Sequence, residues 1–127
     1  MKLAFSLIAI APLCGGCLST QLYDGAKRDK DEVARITGDP VITAGSPITV
    51  VLRRVDEHDI GITQTSVEVL EGEHELLVDC RVAVAENKSV SRHALKVNVY
   101  GGRKYRLRPE SAAGLRGCSN VTLEAVD

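Results

Sequence analysis

An all-β fold, a small β-sandwich of about seven short strands, follows from three features of the sequence. Fifteen valines lie between residues 17 and 127, and their branched β-carbons suit a pleated strand. Apolar residues recur at alternate positions through most of the chain, the period of a strand with one face buried. Turn-forming residues interrupt these runs about every ten positions, the spacing of strands in a two-sheet sandwich.

Residues 1–16 stand apart from this pattern. Met1-Lys2 leads into the apolar run Leu3 to Ala11, small residues follow, and no acidic side chain occurs before Asp24. A single positive charge, an apolar stretch and a small-residue end form the order of an export signal, removed on maturation. The run is too short for a permanent membrane span, which needs about twenty apolar residues. Residues 17–31 (CLSTQLYDGAKRDKD) are polar and charged and read as a flexible tether, leaving residues 32–127 as the β-domain.

Within that domain residues 32–36 (EVARI) alternate well enough for a first strand, with a short helix over 31–36 as the competing assignment. Residues 48–55 form the next strand after the breaker Gly45-Ser46-Pro47, and 65–70 a third, with Val67 and Val69 inward. In residues 75–85 the side chains of Leu76, Val78, Cys80, Val82 and Val84 alternate with polar or small ones, which directs Cys80 into the core. Leu95, Val97 and Val99 precede Gly101-Gly102, which reads as a hairpin turn, and Tyr105 and Leu107 follow it. Val121, Leu123 and Ala125 make the inward face of a last strand.

The four cysteines divide by position. Cys14-Gly15-Gly16-Cys17 has the spacing of a redox pair or zinc half-site, but follows an apolar leader instead of opening a helix within a βαβ unit. Gly15-Gly16-Cys17, with Leu13 four positions before Cys17, resembles a bacterial lipobox, which implies lipidation of Cys17 as the mature N-terminus; Cys14 stands at −3, where leucine is usual. Two or more acyl chains on one residue anchor a protein stably without any transmembrane segment. The residues after Cys17 are Leu18-Ser19-Thr20, and the lack of aspartate next to it resembles the sorting pattern for the Gram-negative outer membrane, at its periplasmic face. In an oxidising compartment Cys80 and Cys118 are then expected to form a disulfide, with two buried free thiols as the alternative.

Tyr23-Asp24-Gly25, Glu32-Val33-Ala34-x-Ile36, Val55-Asp56 and Val69-Leu70-Glu71-Gly72-Glu73-His74-x-Leu76-x-Val78 together resemble small proteobacterial lipoproteins with a PEGA-like β-domain. The resemblance covers most of the mature chain, with Glu57 and Glu71 where that family commonly has glycine and proline. It implies a small β-sandwich in the cell envelope and brings no catalytic residues.

Composition excludes some functions and leaves others open. Removing residues 1–16, with their single Lys2, turns 16 basic against 17 acidic residues into 15 against 17. Such a balance, with only Tyr23, Tyr100 and Tyr105 as aromatics in the mature chain, argues against nucleic acid. His58, His74 and His93 lack the paired spacing of metal ligands, so neither a metal nor another cofactor is expected. No nucleophile elbow, phosphate loop or zinc-protease helix occurs, and the chain does not read as an enzyme. Lys104, Arg106 and Arg108 alternate along one strand and share a face, offering a site for anionic ligands. The expected partners are therefore the membrane, through the anchor, and other envelope proteins. The alternative is an anionic glycan, lipopolysaccharide or small ligand on the basic strand.

Overall fold

The two longest elements reach beyond the alternating runs at 75–85 and 95–99, because each strand pairs with the other along its whole length. Gly72–Val84 (β6) and Asn87–Val99 (β7) pair antiparallel over all thirteen positions, from Gly72 opposite Val99 to Val84 opposite Asn87. In the computed structural model, which describes residues 19–40, 47–61, 63–84, 87–111 and 118–126, these belong to one of two sheets. Ile48–Val55 (β3) and the two-residue His58–Asp59 (β4) complete that sheet in the order β4-β3-β6-β7. The second contains Ser19–Gln21 (β1), Val33–Thr37 (β2), Ser66–Leu70 (β5), Lys104–Ser111 (β8) and Cys118–Ala125 (β9), ordered β1-β5-β2-β8-β9. A β-sandwich is thus the fold, with nine strands among the described residues instead of about seven.

The core lies where the inward faces meet. Ala34, Ile36, Val67, Val69, Tyr105, Leu107 and Val121 come from one sheet, and Val50, Leu52, Val55, Leu76, Val78, Cys80, Leu95 and Val99 from the other. Each buried valine or leucine contributes about 1.5–3 kcal/mol relative to exposure, so this cluster is the principal stabilising element. The expected inward positions hold through β6, where Leu76, Val78, Cys80 and Val82 are all buried. They fail at the end of β9: Ala125 is exposed, because it lies at the end of an edge strand.

Three further departures have physical causes. Part of the expected tether is built into the fold: Ser19–Gln21 pairs parallel with β5, Leu22 N–H donates to the Glu68 carbonyl, and Leu22 packs on the core. Residues 30–32 form a 3₁₀ turn and β2 starts at Val33, which settles the first element as a strand. The Gly101-Gly102 turn does not close a hairpin, since β7 and β8 belong to different sheets. Instead Gly102 N–H donates to the Val33 carbonyl and Arg35 N–H to the Arg103 carbonyl, so the turn carries the chain from one sheet onto β2 of the other. Gly101 is required there because a Cβ would come 2.5 Å from the Asp31 carbonyl oxygen.

Candidate functional site

Parallel pairing of β2 with β8, and antiparallel pairing of β8 with β9, place Lys104, Arg106 and Arg108 on one outer face, as their alternation predicts. Lys104 stands opposite Arg35, Arg106 opposite Thr37 and Glu124, and Arg108 opposite Thr122. Two of the three charges are already matched. Arg106 Nη2 donates to Asp39 Oδ1 at 2.7 Å, while Asp39 Oδ2 accepts from Val50 N–H at 2.9 Å. Because Val50 belongs to β3, this chain of bonds clasps one sheet to the other. Arg108 Nε donates to Glu124 Oε1 at 2.6 Å across the β8–β9 pair, an exposed contact of the kind that stabilises by less than about 1 kcal/mol.

Lys104 has different surroundings. With Lys30, Arg35, Arg103 and Gly102 it lines a cavity of about 160 Å³ that also contains Glu68. The Glu68 carboxylate is nearly buried, with Arg35 Nη2 at 3.2 Å and Lys27 Nζ at 3.9 Å. The sequence marks Glu68 as an outward, polar position. Its burial comes from the side chains around it, Gln21 of β1 and Arg35 of β2 on either side in the register and Lys27 from the segment after β1.

His74 makes two short contacts. Nδ1 lies 2.6 Å from Asp56 Oδ2 and Nε2 lies 2.6 Å from the Leu70 carbonyl oxygen. Asp56, at φ 55° in the left-handed region, also accepts from Glu75 N–H at 2.9 Å. The imidazole therefore ties the turn after β3 to the turn before β6, and a metal would have to displace one of these acceptors. His58 is exposed in β4, and His93 pairs through Nε2 with Ser91 Oγ at 2.9 Å. Among the described residues no group of three or more metal-ligating side chains converges, and no helix is long and apolar enough to cross a membrane.

Cys80, fully buried in β6, and Cys118, the first residue of β9, come within disulfide distance, with Cα atoms 6.3 Å apart. They join opposite sheets. Cys17 and the whole leader lie outside the described residues.

Sequence reading missed two surface features, because each depends on residues far apart in the chain. On the outer face of the β3–β6–β7 sheet, Arg53, Arg81 and Arg92 gather around Asp79. Arg92 donates to it through Nε at 2.8 Å and Nη2 at 3.2 Å, and Arg53 Nε lies 3.6 Å away. The Arg92 hydrogen bonds hold the Asp79 carboxyl below the usual carboxylate range, against partial burial, and the charges of Arg92, Arg53 and Arg81 add to the lowering. The second feature is an open groove of about 460 Å³ between β7 and β9, floored by Leu95, Val97, Tyr105, Val121 and Leu123. β7 and β9 are the terminal strands of their sheets and form no ladder with each other. No family model, curated protein or solved structure matches this chain.

Proposed function

We propose that the protein is a lipid-anchored β-sandwich at the periplasmic face of a Gram-negative outer membrane, serving there as a structural or protein-interaction module. The anchor rests on the sequence at Gly15-Gly16-Cys17 after an apolar leader, and the PEGA-like resemblance agrees with an envelope location. The interaction role rests on one observation, the thirteen-residue edge of β7 beside the apolar groove. An edge strand presents unpaired N–H and C=O groups that an extended segment can complete by adding a strand. Its composition selects the occupant: β7 carries Lys88, Arg92, His93 and Lys96 and no carboxylate. Such an edge repels a second copy of itself and favours an acidic extended segment of another protein.

Photo-crosslinking in intact envelopes tests this. A photoreactive residue replacing Ala94, in the groove, yields a discrete protein adduct, whereas one replacing exposed Glu57 does not. No adduct, or the same adducts from both positions, sinks the reading. A second reading, binding of an anionic glycan, lipopolysaccharide or small ligand on the basic strand, has the Lys104 cavity in its favour. It requires that Lys104→Glu abolish binding to isolated envelope glycans or lipopolysaccharide while leaving the Ala94 adduct in place.

A further inference from the structure

We propose that Arg53, Arg81 and Arg92 form a phosphoryl-binding site on the outer face of the β3–β6–β7 sheet, with Asp79 as its positioning residue. The site lies away from the apolar groove beside β7, shares only Arg92 with the charges of that edge, and does not depend on the role proposed for it.

Register brings the three guanidinium groups together. Val51, Asp79 and Arg92 form one cross-strand row, and Thr49, Arg81 and Val90 the next. Rows on one face repeat every two residues, about 6.7 Å apart along a strand, well within the reach of an arginine. Arg53 comes from the far side of the first row, where a bulge between Leu52 and Arg54 lets adjacent arginines both leave the core: Arg53 meets Asp79 and Arg54 meets Asp59. Three cationic residues separated by 28 and 11 positions in the chain thus meet on one surface.

Charge then sets the ligand. The groove, of about 230 Å³, is lined by Val51, Arg53, Asp79, Arg81 and Val90, a lining with no second carboxylate. Asp79 is only 14% exposed and its oxygens are taken up by Arg92 in a forked contact and by Arg53. Among the described residues Arg81 has no ion pair. Arg53 and Arg81 in the lining, with Arg92 beside it on Asp79, set three positive charges against one negative and leave an excess of two around a concave surface, where the field is focused. A phosphomonoester carries about −1.5 to −2 near neutral pH and offers three acceptor oxygens to planar N–H forks, so it balances this excess where a single carboxylate does not. Asp79 does not touch the ligand in this account; it fixes the planes of Arg53 and Arg92. Val90, which is 61% exposed at the rim, gives the ligand's carbon body an apolar contact.

The shared chemistry is a phosphoryl group, whether of free phosphate or of a lipid headgroup, and the test separates these sources. The full chain in a zwitterionic detergent is titrated calorimetrically at about 0.15 M salt, where diffuse surface attraction is screened. One arm uses inorganic phosphate and the other micelles containing phosphatidic acid. Binding weakens about tenfold in Arg81→Gln, as expected for loss of one charge-assisted fork, and disappears in the Arg53→Gln/Arg81→Gln double variant. Arg81 is exposed and outside the core, so Arg81→Gln keeps the wild-type melting temperature, which separates lost binding from lost fold. Binding in both arms assigns the site to the phosphoryl group itself, and variant-sensitive binding in the micelle arm alone assigns it to a membrane-borne phosphomonoester. No binding in either arm, binding unaffected by the double variant, or an equal loss with Lys104→Glu overturns the proposal.

Discussion

Asp56 does three things with one side chain. It occupies a left-handed turn position, accepts the Glu75 N–H and meets the His74 ring. Partial burial is the largest single influence on its carboxyl and raises it, but the Glu75 hydrogen bond and the bond and charge of His74 together outweigh burial, so it titrates below the usual carboxylate range. A carboxyl depressed in the folded state adds stability above its unfolded titration range, and that increment is lost as pH falls through the folded value. Asp56→Asn keeps a residue that tolerates positive φ and an acceptor for Glu75, and removes only the charge. At neutral pH it costs about 1 kcal/mol or less, because the carboxylate is partly exposed and screened. Melting curves recorded across pH check this: the two proteins differ near pH 7 and converge in strong acid. An undiminished gap in acid would mean that the charge is not what stabilises the turn.

At the scale of the element, alternation made β3, β5, β6 and β8 legible, whereas in β7 it shows only from Leu95, and the polar half from Asn87 is a strand because it pairs with β6. Residues 48–55 coincide with β3, and the inward sets of β5, β6 and β8 follow directly from period two. What alternation hid was short or relational. A three-residue β1 and a two-residue β4 contain too few positions for any period to show, and exist because β5 and β3 present edges that they complete. The Gly101-Gly102 pair announces a turn but not which sheet the following strand joins, a choice made by the Val33 and Arg35 backbone partners. Lys104, Arg106 and Arg108 were legible as a row, whereas the carboxylates that neutralise two of them, Asp39 and Glu124, lie 67 and 16 residues away. Gly101→Ala tests the turn: its methyl group meets backbone that cannot swing aside, and chemical denaturation is expected to show a loss of about 1–3 kcal/mol. A neutral substitution would show that the 3₁₀ turn yields without cost.

Across the whole molecule, the sheets are joined by the shared core, by the Arg106–Asp39–Val50 clasp and by the cysteines of β6 and β9. A link across 38 residues constrains the unfolded chain, and in the loop-entropy account its loss costs up to about 4 kcal/mol. Urea unfolding with and without a strong reductant is therefore expected to show a markedly lower midpoint for the reduced protein. Identical midpoints would mean that Cys80 and Cys118 contribute only through apolar packing, Cys80 buried and Cys118 partly so. The same cysteines bear on the proposed location, since a disulfide between them is expected of an oxidising compartment, the one that export under the proposal would supply.

Export, anchoring through Cys17 and closure by Cys80 and Cys118 stand together in the proposed function. The most direct measurement is the intact mass of the protein extracted from its native envelope, recorded before and after reduction and thiol alkylation. The predicted result is a chain beginning at Cys17, heavier than its sequence by a diacylglyceryl group, with two cysteines that alkylate only after reduction. A chain that retains Met1, or an unmodified Cys17 with four freely alkylated thiols, contradicts it.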